Sequence, residues 1–413
     1  MIEFKINLRK LVLFQITILM VSVILIGLTN LTQIIYITDI VNIIIFIDLI
    51  INHRLLILDK KLNLLLLIFI IEILYWSISF GLGSYSTFSD YVKMARIFIR
   101  PLIIFVASSV ALTSIDYKLI YKRLNTLFYI HFLMVLFQIF VQGYSNGDEI
   151  GGIFGVRFGY GNIASHFLLV FILIFSMSNY ISKDEKILQL LTKLIMMFSI
   201  ALLTEMKSFV FEAFIIVFFL LITQKKINMK ILICIIFLSI ASIIFVDKMN
   251  QYFHIDLFSF DQIEGYLSRG YAANDKGIGR IDGFTKINDT FFHNDITKVL
   301  FGMGFSSSIS SYILRNYKDM NINYFTYAKV FFDCGIVGLL LYYMPFMWSI
   351  VCSIRNRKND KLSSNMIIIF SMICLYFTFY GNLLESDFCG YLTFIVLSIP
   401  FIRKKETNCY DKC

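Results

Sequence analysis

The chain reads as an all-α, polytopic transmembrane helix bundle, and three observations point there. Hydrophobic residues fill 58% of the 413 positions, charged residues only 16%, and the mean hydropathy is +0.77. A soluble domain of this length could not hide so much apolar surface. The apolar residues come in long unbroken runs, which excludes a transmembrane β-barrel with its period of two. With 3 prolines and 21 glycines, most of the length is free to be helix.

Twelve spans are expected, each about long enough to cross ~30 Å of hydrocarbon. They fall at 11–28, 31–51, 62–82, 99–115, 124–142, 163–181, 190–206, 208–223, 230–246, 326–351, 363–383 and 386–402. No small-residue cleavage site follows Leu11–Leu28, so that segment is expected to stay as the first span. The second is the weakest, because it carries Asp39, Asn42 and Asp48. The seventh and eighth are nearly fused through Thr204-Glu205-Met206-Lys207.

Charge sets the orientation. With the N-terminus inside, beside Lys5, Arg9 and Lys10, every inner connection is basic. These connections carry Arg54/Lys60/Lys61, Lys118/Lys122/Arg123, Lys183/Lys186, Lys225/Lys226/Lys230 and Arg355/Arg357/Lys358/Lys361, and the tail carries Arg403/Lys404/Lys405. Short outer connections are poor in cations, with Lys93/Arg96/Arg100 before the fourth span as the exception. The expected organisation is therefore N-in and C-in. Residues 1–246 form nine spans, 247–323 a large, partly helical extracytoplasmic loop, 324–402 three more spans, and 403–413 a cytoplasmic basic tail. The net charge of +9 is explained by the inner clusters facing anionic headgroups, so no nucleic-acid partner is implied. The seven cysteines show no metal-binding spacing, and no cofactor is expected. No internal repeat is visible; inverted repeats would have favoured a transporter.

The long loop is the most informative stretch, and several of its residues have two readings. Arg280 follows Gly277-Ile278-Gly279, where the backbone can approach a ligand closely. It is an ordinary loop arginine or a rigid fork for phosphate oxygens. Lys207, at the outer edge between two spans, either pairs with Glu205 or grips a diphosphate at the membrane surface. Arg157 lies in a glycine-rich outer segment, Gly151 to Gly161, that is either a tight re-entrant turn or a third cationic site. The loop's Glu264, Asp275, Asp282, Asp289, Asp295, Asp319, His254 and His293 could each serve as a general base; most are expected to be solvated. Loop aromatics such as Tyr271, Phe284 and Tyr317 either pack a cap or stack on sugar rings. Lys329 and Asp333, one turn apart, are expected to neutralise each other. Asp39, Asp48 and Glu72 either form a relay, line a polar cavity, or mark a partly interfacial span.

The order of these pieces resembles the O-antigen/capsular polysaccharide polymerase (Wzy) and O-antigen ligase family of bacterial membrane glycosyltransferases. The resemblance rests on Gly161-Asn162-Ile163-Ala164, on Leu203-Thr204-Glu205-Met206-Lys207-Ser208, and on Gly279-Arg280 in a long outer loop. It continues through Leu300-Phe301-Gly302-Met303-Gly304, Asn321-Ile322-Asn323-Tyr324 and Gly335-Ile336-Val337-Gly338. It covers roughly 150–345, and each fragment is weak alone. Lysine stands at 207 where the family usually has arginine, and no histidine lies in Asp319–Tyr324, which points to the polymerase branch.

The resemblance implies a fold like that of lipid-phosphate-dependent glycosyltransferases (GT-C-like), at the bacterial cytoplasmic membrane with an outward-facing site. It implies transfer of a growing glycan from undecaprenyl diphosphate to a lipid-linked repeat unit. Lys207, Arg280 and Arg157 would bind the diphosphate, and Asp282 or Asp319 would orient or deprotonate the acceptor hydroxyl; the base stays unassigned. A chain-length regulator and a flippase are implied partners, alongside membrane lipids. A lipid-linked oligosaccharide flippase and a ligase are the alternatives.

Overall fold

The computed structural model describes residues 7–29, 31–52, 60–156, 160–221, 277–383 and 386–402, with a few helical positions between 236 and 251. The regular structure among them is helical. In chain order the helices are α1 (Leu8–Thr29), α2 (Tyr36–Ile51), α3 (Lys60–Leu82), α4 (Phe88–Ala111), α5 (Ser114–Phe140), α6 (Tyr160–Ile181), α7 (Ile187–Leu203) and α8 (Phe209–Leu221). Three short loop helices follow, α9 (Gly283–Ile287), α10 (Ile296–Phe301) and α11 (Ser311–Asn316), and then α12 (Thr326–Asn356), α13 (Lys361–Tyr380) and α14 (Asp387–Leu397).

Eight of these helices, α1 to α6, α12 and α13, are long and apolar enough to cross a membrane. The shorter apolar helices α7, α8 and α14 occupy three further expected spans. The expected ninth span, 230–246, lies largely outside the described residues, as does 403–413. The described half of the long loop, 277–323, is partly helical as expected.

Helix α6 is the centre of the bundle: 83% of its most apolar window is enclosed by protein, against 28% for α3. A polar side chain on α6 therefore faces protein rather than lipid. The lipid-ready surface is elsewhere, for example Ile37, Ile40, Ile43 and Ile47 of α2, all strongly exposed.

Helix α4 begins well before the apolar run, because Thr87 and Asp90 form a reciprocal cap at its start. This extension carries Arg96, partly buried, and Arg100, buried, both ion-paired, while Lys93 stays exposed. Arg96 Nε donates to Asp39 Oδ2 at 2.7 Å, and Arg100 Nη1 to Asp39 Oδ1 at 2.8 Å. Arg100 also pairs with Asp387 at the start of α14. Asp39 is thus one arm of an ion-paired seam joining α2, α4 and α14.

The glycine-rich stretch after α5 dips into the bundle. Gln138 clamps Gly152 with both amide atoms, its Nε2 donating to the carbonyl and its Oε1 accepting the N–H, each at 2.8 Å. His131 bonds Ser165 at 2.8 Å and accepts from Ile153 N–H at 3.4 Å. Ile153 is buried, with Gly27 of α1 directly against its carbonyl. Gly151–Gly155, the described part of the glycine-rich stretch, forms a tight turn; Arg157 lies outside the described residues.

Helix α12 is broken at Gly335, where φ is 64° and ψ −164°. The carbonyls freed by the break are taken up locally. Met303 N–H donates to Phe332 O at 2.9 Å and Gly304 N–H to Asp333 O at 3.1 Å. Tyr75 of α3 donates its hydroxyl to Cys334 O at 2.6 Å. The Leu300–Gly304 and Gly335–Gly338 segments, weak fragments in the sequence, are one packed seam. Asp333 takes its hydrogen bonds from Ser308, from the N–H at 2.7 Å and the hydroxyl at 2.8 Å.

Candidate functional site

The described end of the long loop sits on the start of α12 and the end of α13, at the end of the bundle that an N-in orientation would put outside. Its first feature is the turn carrying Arg280. Ile278 N–H donates to Met320 O at 2.9 Å. Gly279 N–H donates to Asp282 Oδ1 at 2.6 Å. The Tyr327 hydroxyl donates to Gly279 O at 2.9 Å and accepts from Gly283 N–H at 3.1 Å. Lys286 pairs with Asp282 Oδ2 at 2.8 Å and donates to the Gly277 carbonyl. The backbone around Arg280 is therefore fixed by contacts from α9, from α12 and from the turn before Asn321.

These contacts define two of the expected site residues. Asp282 spends both carboxylate oxygens holding the turn and so positions Arg280. Asp319 is exposed on a 3-10 turn, Lys318–Met320, and that turn is tied to Arg280's by the Ile278–Met320 bond. The structure brings Arg280, Asp282 and Asp319 into one neighbourhood.

Arg280 is only 5% exposed, and its guanidinium carbon stands 5.0 Å from the centre of the Tyr380 ring. An arginine over an aromatic face is attracted by the ring quadrupole. Tyr380 ends α13, and the next residues are pinned to α12. Thr326 N–H donates to Gly381 O at 3.1 Å, and Asn382 Nδ2 donates to Asn323 O at 2.7 Å. Asn323 in turn donates to Ser308 O at 2.8 Å. The polar patch Asn321–Tyr324 thus ties the loop to the helix ends that hold the site.

Behind Tyr380 lies a pair that the sequence did not single out. His166, in the second turn of α6, is 1% exposed, and its Nε2 is 2.7 Å from Glu212 Oε2 in the first turn of α8. The His166 ring meets Tyr380 edge-on at 5.1 Å and Phe377 at 4.8 Å. His166 Nδ1 and Glu212 Oε1 are both buried, and neither has a hydrogen-bond partner among the described residues. The signal was present as a lone histidine in a span with no Asp, Glu, Lys or Arg, which at membrane depth is a candidate functional position. Its partner is 46 positions away and could not be read locally.

Lys207 belongs to a second cluster, in the turn between α7 and α8. Its neighbour Glu205 adopts a left-handed φ of 58° and accepts from Gly147 N–H at 3.3 Å. Burial raises the Glu205 carboxyl above its ordinary range; Asp148 adds to this, and Lys207 works against it. Lys207 therefore sits beside carboxylates, five positions before Glu212 on the same turn-and-helix unit. Among the described residues no cluster of three or more His, Cys, Asp or Glu could hold a metal ion. No protein-family model and no curated protein matches the chain.

Proposed function

We propose that this protein is a polysaccharide polymerase of the cell membrane. It moves a growing glycan from undecaprenyl diphosphate onto the non-reducing end of a lipid-linked repeat unit, on the outer face of the bacterial cytoplasmic membrane. The observation that supports it best is Arg280, a buried arginine on a turn locked from three sides, at the end of a membrane helix bundle. A guanidinium fork suits diphosphate oxygens, and its preorganisation on the turn lowers the cost of ordering it.

Both substrates of such a reaction are anchored in the bilayer, so their diphosphates stay at the membrane surface. On this reading the site at the ends of α6, α8, α12 and α13 lies at that level. The diphosphate is a ready leaving group, and fixed cations stabilise the charge that develops on it as the anomeric bond breaks. Lys207 is a second cation on the same face, able to act as a point charge. A flippase delivering repeat units and a chain-length regulator are the partners this reading needs.

The test is a gel of surface glycan from cells lacking this chain, complemented with wild type or Arg280→Ala. The expected result is single repeat units on the lipid carrier without the chain, long polymer with wild type, and single units again with Arg280→Ala. Repeat units trapped on the inner face would instead mark a flippase. Full-length polymer left on the carrier would mark a ligase.

A further inference from the structure

Resting on that reading, we infer that His166 is the base that takes the proton from the acceptor hydroxyl, with Glu212 as the residue that positions it. Three observations carry this. The pair is buried in the outer turns of two bundle helices, His166 on the most enclosed span. Its hydrogen bond is short and specific, Nε2 to Oε2 at 2.7 Å. Its two remaining polar atoms, Nδ1 and Oε1, are buried without partners among the described residues.

Buried polar atoms almost always find partners, so two orphans on one pair need a physical reason. A role in proton transfer supplies one. Glu212 as a carboxylate can only accept, which places the imidazole hydrogen on Nε2 and leaves the Nδ1 lone pair as the acceptor. This is the arrangement in which a carboxylate orients a histidine base and stabilises the imidazolium that forms.

The groups facing the imidazole are Glu212 from α8 and Tyr380 from α13, with the rings of Phe209 and Phe377 on the remaining sides. Arg280 stands beyond Tyr380, whose ring is 5.0 Å from the guanidinium carbon and 5.1 Å from the imidazole. Tyr380 is thus a ring in contact with both the cation that holds the leaving group and the base. The acceptor hydroxyl reaches Nδ1 when Tyr380 turns from between them.

The step balances without a co-reactant. The acceptor oxygen forms a bond to the anomeric carbon of the donor. The anomeric bond to the diphosphate oxygen breaks, and its electron pair leaves on that oxygen. The hydroxyl proton passes to His166 Nδ1. The imidazolium, still bonded to Glu212 through Nε2–H, then returns the proton to water or to the departing diphosphate.

The test uses full-length protein in membranes of cells lacking the native chain, whose own accumulated lipid-linked repeat units serve as donor and acceptor. His166→Gln, at wild-type abundance, is expected to slow elongation by about 10²–10⁴-fold, the usual worth of a general base. His166→Ala is expected to be partly rescued by added imidazole and not by pyrrole, a ring of the same size without a basic nitrogen. Rescue by both rings would mean a packing role, and rescue by neither, or elongation by His166→Gln within a few fold of wild type, would overturn the assignment. If His166→Gln failed to accumulate, Glu212→Gln gives the answer, with a loss of at least tenfold expected and none overturning it. Failure of wild type itself to elongate the repeat units would sink the polymerase reading rather than this one.

Discussion

Gly302 and Gly335 face each other across the seam between the outer loop and α12, and neither position has room for a side chain. A Cβ on Gly302 would lie 2.5 Å from the backbone of Asp333, and one on Gly335 would lie 2.4 Å from the backbone of Leu300. Both also sit at positive φ, 78° and 64°, with ψ near the extended limit at −167° and −164°. Only glycine populates that region freely.

Gly302→Ala and Gly335→Ala should therefore each destabilise the protein by at least about 1–3 kcal/mol from backbone strain alone. The two sites share one seam, so the double variant should cost less than the sum. Gly81→Ala is the control, because nothing lies within 4 Å of a Cβ added there. It should be neutral or gain up to ~1 kcal/mol, since alanine suits a helix interior better. Thermal unfolding of the detergent-solubilised protein measures all four.

Arg100 carries the ion-paired seam between α2, α4 and α14. Replacing it by methionine leaves Asp39 and Asp387 facing each other with less compensation. Removing one partner of a buried pair typically costs 3–5 kcal/mol. Arg100→Met should accordingly lose most of its membrane abundance. Adding Asp387→Leu should recover part of it, because an apolar replacement for the pair avoids the unpaired charge. A double variant no better than the single one would show that Asp387 gains nothing from Arg100.

The helical, membrane-like character was legible because apolar runs are local signals, and eight described helices are long and apolar enough to cross a membrane. What could not be read depends on partners far away in sequence. Arg96 looked like a misplaced outer charge, since its partner Asp39 is 57 positions earlier. His166 looked like one polar residue in an apolar run. Asp282 was visible as a carboxylate beside an arginine, but its work of holding Gly279 and Lys286 appears only once the turn is folded. The Gly302 and Gly335 motifs were seen separately, and their contact is a property of the folded chain alone.

Gln138 is one of two side chains, with His131, that hold the re-entrant turn after α5 among the described residues. Gln138 satisfies both the N–H and the carbonyl of Gly152 inside the bundle, where water is scarce. Gln138→Leu keeps the volume and strands the Gly152 N–H, while the carbonyl keeps its bond from Gly155 N–H at 3.1 Å. Each unsatisfied buried group costs about 1–3 kcal/mol. Hydrogen exchange should then show faster exchange at Gly152 and Ile153, with the exchange of α13 unchanged. Equal protection in the variant would mean that the turn is held by other contacts.

Tyr327→Phe separates the turn from the fold. The tyrosine ring stacks on Phe379 at 4.5 Å and packs on Phe284 at 5.1 Å, and phenylalanine keeps both contacts. Only the hydroxyl is lost, and with it the partner of Gly279 O and of Gly283 N–H. The stability cost should stay near 1–3 kcal/mol, small enough for normal abundance. The consequence should fall on Arg280, which sits next to Gly279 on the loosened turn. If that turn presents the cation to the diphosphate, KM for the lipid-linked donor should rise several-fold, because the cation already holds the diphosphate in the ground state, with a smaller fall in kcat for the charge that develops on it. Steady-state kinetics in membranes with native lipid-linked repeat units reads both constants. A wild-type KM in Tyr327→Phe would mean that Arg280 needs no fixed turn to do its work, and a fall in kcat alone would place Tyr327 closer to the chemistry than to binding.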